Sequence, residues 1–277
     1  MGKLRSARAI YARDGLRSLF VASEDRTREL FRQSVLSHGE RRLRYLQHRR
    51  RYGEAAPRSQ QLVYVDPSAI EYVLFPPLHR DHAVTRYDTH VLAGEWDRAP
   101  IRDEQWFSTR MLTESDVDRR YRFRLEEYAF YRALERGRDS HEAYLEAWQD
   151  QLSEFPEGRS TKYGETDYVT NHHELYVDIK ENGYKSGREL DKRLPYPEFY
   201  DVPTYIGRHG EFVSAGFGKH RIVIARLLGL DSIPVRVNVR HSSWQERRND
   251  VVRRADETRE TDLSAVHPDL RPLVASD

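Results

Sequence analysis

Two hydrophobic periods alternate along this chain, and the stretch from Tyr205 to Arg240, YIGRHGEFVSAGFGKHRIVIARLLGLDSIPVRVNVR, carries both in close succession. Gly207 to Gly210 supplies a hairpin turn, and Glu211 to Ala215 is a short β-prone run behind it. Gly216 and Gly218 flank a loop where backbone can come close to a ligand, because neither residue has a Cβ. His220 and Arg221 fall in the first turn of a helix predicted to run through Leu228, with Gly229 as its left-handed stop. Ile233, Val235, Val237 and Val239 then alternate with Arg236, Asn238 and Arg240, the period of two expected of a half-buried strand.

Elsewhere the pattern is mostly helical. Residues 3–52 read as basic helices parted at Gly39, and Leu30, Phe31, Val35, Leu43 and Leu46 give the better apolar stripe. Residues 54–60 are linker-like. Gln61 to Val65 reads as a strand, and Asp66-Pro67 as a cap and first helical residue. Val91 to Asp97 reads as a short strand running into a loop. Between 103 and 155 the spacing predicts a helical insertion. Thr113 to Asp116 resembles a capping box; Phe123, Tyr128, Phe130, Tyr131 and Leu134 form an aromatic face ending at Gly137; Asp139 caps a second helix with Tyr144, Leu145, Trp148 and Leu152. Asn171 to Glu174 predicts the start of a further helix, with Leu175 and Ile179 on one face and Gly183 at its end. The three prolines between Leu190 and Pro203 predict a loop or edge segment, Ser242 to Gln245 a capping box, and the last twenty or so residues a loose tail.

Composition narrows the classes. Lys and Arg total 46 against 45 Asp and Glu, so no overall field recruits nucleic acid or membrane. Cysteine is absent, which removes disulfides, thiolate zinc sites and cysteine nucleophiles together. No apolar run approaches the ~20 residues that span a bilayer, and the Arg-containing start MGKLRSARAIYARDG is unlike a secretory signal. A cytoplasmic protein is expected.

Amides at a helix start, beside Lys219, His220 and Arg221, make physical sense as an anion site. The bland alternative is that Arg221 pairs with Glu174 and the glycines merely turn the chain. Glu174 and Asp178 stand one helical turn apart, able to hold Mg²⁺ or to act as a general base if they reach that loop. Arg41, Arg42, Arg44, Arg49, Arg50 and Arg51 crowd one basic helix. Guanidinium forks match phosphate oxygens, so Arg49, Arg50 and Arg51 are the candidate DNA contacts, while a solvated face explains the same run. The clusters His79, Asp81, His82 and His172, His173, Glu174 are poor metal sites, because adjacent helical residues diverge by about 100°; no metal ligand is assigned.

The run G-x-G-K-H-R-x-x-I-A-x-x-L-G-L-x-x-I-P-V-x-V resembles the signature of the ParB/sulfiredoxin-like superfamily, and Glu174 to Tyr184 resembles its earlier helix motif. The likeness spans roughly residues 168–240. It implies an α+β fold, a small mixed sheet with packed helices, here with N-terminal helices (1–53), a domain over 60–241 interrupted by the insertion at 103–155, and a C-terminal helix and tail (242–277). It also implies binding of ATP or CTP with Mg²⁺, or of another phosphorylated small molecule, at Gly216, Gly218, Lys219, His220 and Arg221. Glu174 and Asp178 would be the catalytic candidates of an ATP-dependent phosphotransferase. Sulfiredoxin-type chemistry is excluded, since Lys219 stands where its cysteine would be. Too little sequence follows Arg240 for the helix-turn-helix of a partition protein. Ser214-Ala215-Gly216-Phe217-Gly218 lacks the acid that free-serine kinase relatives place before the turn. A DNA-binding accessory protein using the Arg-rich helix is the alternative.

Overall fold

The computed structural model describes residues 39, 41–58, 61–78, 84, 88–102, 120–153, 166–190, 201–255 and 266–274. The chain divides into two compact units, Met1–Gly53 and Glu54–Asp277. In the first, residues 41–52 are helical, with Arg42, Arg49, Arg50 and Arg51 exposed. The helices expected before residue 39, the Thr113 to Asp116 box, and the cluster His79, Asp81, His82 lie outside the described residues.

The second unit is mixed α and β. Its sheet contains β1 (Leu62–Val65), β2 (Tyr72–Phe75), β3 (His90–Leu92), β4 (Tyr121–Arg124), β5 (Val202–Ile206), β6 (Phe212–Ser214) and β7 (Ile233–His241). The order is β1-β7-β5-β6-β2-β4, with β3 also pairing β7. β1 runs antiparallel to Ile233–Arg236 and β3 parallel to Val239–His241, so the long β7 carries two short strands along one edge and β5 along the other. The helices are α1 (Ala129–Gly137), α2 (His141–Ser153), α3 (Thr166–Asn182), α4 (Gly187–Leu190), α5 (Lys219–Leu227), α6 (Ser242–Ala255) and α7 (Arg271–Val274).

Several sequence expectations are corrected here. All nine residues of β7 are buried, so it is a central strand and not a half-buried one. Its alternation also breaks. Thr204 pairs with Val237 but Tyr205 pairs with Val239, leaving Asn238 as a bulge. Neighbouring strand residues face opposite ways, so the extra residue turns Val239 onto the other side of the sheet from Val237. Ile233, Val235 and Val237 join the larger core under α1, α2, α3 and α5, whereas Val239 joins Leu74, Trp96, Tyr205 and Val213 in a smaller core on the second face. Pro203 lies inside central strand β5, because burial on both faces outweighs its missing donor. The insertion is not wholly helical: Tyr121 to Arg124 pairs antiparallel with β2, so Phe123 is a strand residue. Ser140, not Asp139, caps α2 through Ala143 N–H at 3.1 Å. α3 begins at Thr166, which places Asn171 inside the helix and not at its cap. At α6 the Ser243 amide donates to His241 Nδ1, and Gln245 turns away to the Ala55 carbonyl.

The tail is corrected as well. Asp269 is 1% exposed and anchors residues 266–274 to the sheet. Arg240 donates Nε (3.0 Å) and Nη2 (2.5 Å) to its two carboxylate oxygens. Arg248 Nη1 at 2.7 Å and Trp244 Nε1 at 3.0 Å complete the shell. Burial alone raises a carboxylate pKa, but the two guanidiniums and these hydrogen bonds hold Asp269 well below the usual range.

Candidate anion site at the start of helix α5

The loop from β6 to α5 turns through two left-handed glycines, Gly216 (φ 81°) and Gly218 (φ 70°). A Cβ on Gly218 would sit 3.1 Å from Val202 Cγ2, so the loop lies tight against the start of β5. The Gly216 amide donates to Ser214 Oγ at 3.3 Å. Gly218 is the N-cap and offers no side chain to the first turn. Four consecutive apolar residues, Ile222 to Ala225, bury the middle of α5 in the main core, so its N-terminal end is fixed by packing.

The three side chains of the predicted site diverge from there. Lys219 holds its ammonium 4.2 Å above the Tyr128 ring. His220 turns into an aromatic nest: its Nε2 and the Tyr128 hydroxyl are hydrogen-bonded at 2.6 Å. Its ring lies 4.6 Å from Phe130, edge to face, and 4.0 Å from the ring of His172. Burial, then His172 and Lys219, drive the His220 pKa well below the ordinary imidazole range, so this ring is neutral at pH 7. Arg221 stacks its guanidinium 4.2 Å over the Tyr184 ring and donates to the Lys185 carbonyl. Burial pushes the Tyr184 phenol up to about 12, and its oxygen is enclosed without a hydrogen-bond partner.

This geometry changes the roles assigned from sequence. A neutral His220 offers an acceptor or an N–H, not a positive charge. Electrostatic attraction for an anion falls on Lys219 and on the dipole end of α5. Arg221 does not pair with Glu174; it fastens the segment after α3 to α5.

Glu174 and Asp178 are not brought to the loop. α3 presents His172, Tyr176 and Ile179 inward, while Glu174 is exposed and Asp178 accepts a bond from Asn182 Nδ2 at 2.8 Å. On a 100° rotation per residue, Glu174 points about 160° and Asp178 about 120° away from His172. They line instead an outer groove of about 440 Å³ with His141, His173 and Glu181. His173 is 8% exposed, its ring 5.1 Å from His141 and 5.4 Å from Tyr144. Among the described residues, no group of three His, Asp or Glu side chains is placed to hold a metal ion, and no helix is long and apolar enough to cross a membrane.

Tyr128 and His172 are the site residues the sequence reading missed. From sequence Tyr128 reads as a core aromatic, and His172 as a member of the His172, His173, Glu174 cluster set aside as a metal site. The available signal was spacing: His172, Tyr176 and Ile179 stand at i, i+4 and i+7, on the inward stripe of one helix.

No family model matches the chain, and no curated protein or solved structure matches it significantly.

Proposed function

We propose that this chain binds a nucleotide or a phosphorylated small molecule at the N-terminus of α5, as a ParB/sulfiredoxin-like protein of the cytoplasm, where nucleotides are abundant. The observation that carries the reading is the pair of left-handed glycines delivering the α5 start and the Lys219 ammonium together, beside the hydrogen-bonded Tyr128 and His220. A helix start favours negative charge, and a lysine ammonium suits phosphate as a point charge. Among the described residues, a Cβ at Gly216 would meet the Leu74 carbonyl at 3.9 Å, so the backbone there is open to a ligand, whereas Gly218 sets the loop tight on Val202.

If the chain transfers a phosphoryl group, the base is His220 or His172, because Glu174 and Asp178 face the other way. A neutral imidazole can accept a proton from a substrate hydroxyl, and Tyr128 fixes the ring that does so. ATP or CTP with Mg²⁺ is the proposed donor; Mg²⁺ would ride on the phosphates and water, as it commonly does where carboxylates are few.

Thermal-shift measurements with ATP, CTP and ADP, each with Mg²⁺, test the proposal. Ligand at a hundred times its Kd stabilises by about 2.7 kcal/mol, and this gain should vanish in Lys219→Ala. No shift with any nucleotide or with inorganic phosphate refutes it.

A DNA-binding accessory role has its own observation: the helix 41–52 exposes Arg42, Arg49, Arg50 and Arg51. Salt-dependent duplex binding that is lost in the triple change Arg49, Arg50 and Arg51→Ala supports that reading instead.

A further inference from the structure

The acids that turn away from the α5 loop stand in a groove of their own. Glu174, Asp178 and Glu181 fall within an arc of about 60° on the outer side of α3, rising by about 6 Å and then about 4.5 Å along its axis. All three line the groove of about 440 Å³, together with His141 at the start of α2. Glu174 and Glu181 are exposed, and neither side chain makes an ion pair or hydrogen bond among the described residues. Asp178 accepts from Asn182 Nδ2 at 2.8 Å through one oxygen, which leaves the second. No lysine or arginine is among the described residues that line the groove. Like charges three and four residues apart on a helix repel, so this row gains from a cation that lies along it.

His173 is an independent sign of a ligand. It is 8% exposed, lines the same groove, and its Nε2 is enclosed with no hydrogen-bond partner among the described residues. Its ring is held by packing, 5.1 Å from His141 and 5.4 Å from Tyr144. Buried polar atoms are nearly always partnered, so an unmet imidazole nitrogen in a groove wall marks a place for a ligand group. Burial, then His141, holds the His173 pKa below its ordinary value, so the ring is neutral at pH 7. With Nε2 as its bare nitrogen, it accepts from an ammonium N–H and adds no repulsion.

We infer that this groove binds a linear aliphatic polyamine, its ammonium groups laid along the Glu174, Asp178 and Glu181 row. The methylenes between them cover Val177, which is half-buried against the main core on the same side of α3. The volume lies within the roughly 300–1,000 Å³ of small-molecule sites. Among the described residues, no group of three His, Asp or Glu side chains is placed to hold a metal ion. Carboxylates strung along an axis do not close on one compact ion, but each can meet its own charge on an extended one. A basic peptide carries similar charges, yet its backbone amides also need partners. The walls here are helices, whose backbone groups are already paired.

Calorimetric titration of the full chain with spermidine, at low salt and without nucleotide, tests the inference. Saturable binding is expected, weaker for putrescine, which has one ammonium fewer, and weaker again at high salt. Changing Glu174→Gln, Asp178→Asn and Glu181→Gln together should weaken it roughly tenfold. In the wild-type chain, amide shifts on adding spermidine should concentrate at His141 and residues 170–182, a readout that needs no variant. Four results overturn the inference: no saturable binding; equal affinity in the triple variant; displacement of spermidine by an equal concentration of Mg²⁺; or an oligoarginine peptide filling the groove where spermidine does not. Lys219→Ala should leave spermidine binding intact, so this site and the proposed function fail separately.

Discussion

Two buried polar regions of the second unit treat charge in opposite ways. Around Asp269, every charge has a partner: two arginines and an indole N–H converge on one carboxylate, and Thr89 Oγ1 takes a further bond from Arg240 at 3.1 Å. Around His220, titratable rings meet one another and a tyrosine hydroxyl. The first arrangement fixes the tail and part of β7 in place. The second leaves imidazoles whose protonation is costly and responsive, which is the condition a site needs and a structural pin does not.

Removing the centre of the first region should have the largest effect. Asp269→Ala leaves two buried guanidiniums facing each other, and a loss of about 3–5 kcal/mol in urea unfolding is expected. A loss under 1 kcal/mol would mean the pin is not what holds the tail. Gly218→Ala comes next: a side chain at a left-handed φ against Val202 should cost about 1–2 kcal/mol and also erase nucleotide-induced stabilisation. His220→Phe preserves the aromatic packing and should change stability by less than about 1.5 kcal/mol, yet remove any proton-transfer activity. That split between stability and activity is what distinguishes the two regions. Glu174→Gln with Asp178→Asn should leave nucleotide binding unchanged, since both face the outer groove.

The regions should also separate on the pH axis. The Asp269 pKa is depressed on folding, so its contribution is full above the ordinary carboxylate range and is lost as pH falls below about 4. The imidazoles are depressed from a higher starting value, so their penalty begins below about 6.5. An unfolding free energy that declines in two steps is expected, and His220→Phe should remove part of the upper step only.

Much of the chain from Tyr205 to Arg240 was legible because its signals are local. The hairpin turn at Gly207 to Gly210, the left-handed glycines before α5 and the stop at Gly229 follow from backbone sterics within a few residues. β1 was legible from its apolar run, and the Asp66 cap from its side chain, which accepts Ser68 N–H at 2.7 Å. β2 and β4 were not, since each is short and aromatic-rich: β4 becomes a strand by pairing with β2, and β2 by pairing with β4 and β6.

What tertiary structure alone decided is which face each residue meets. The sequence set out a strict alternation through β7, but a single bulge at Asn238 sends Val239 to the second core and turns Arg240 toward Asp269. The sequence also placed His172, His173, Glu174 and Asp178 on one helix; packing chose His172 for the site and turned the two acids outward. Backbone preference acts over neighbours and can be read along the chain. Register and facing are settled by burial against elements distant in sequence, and no local signal carries them.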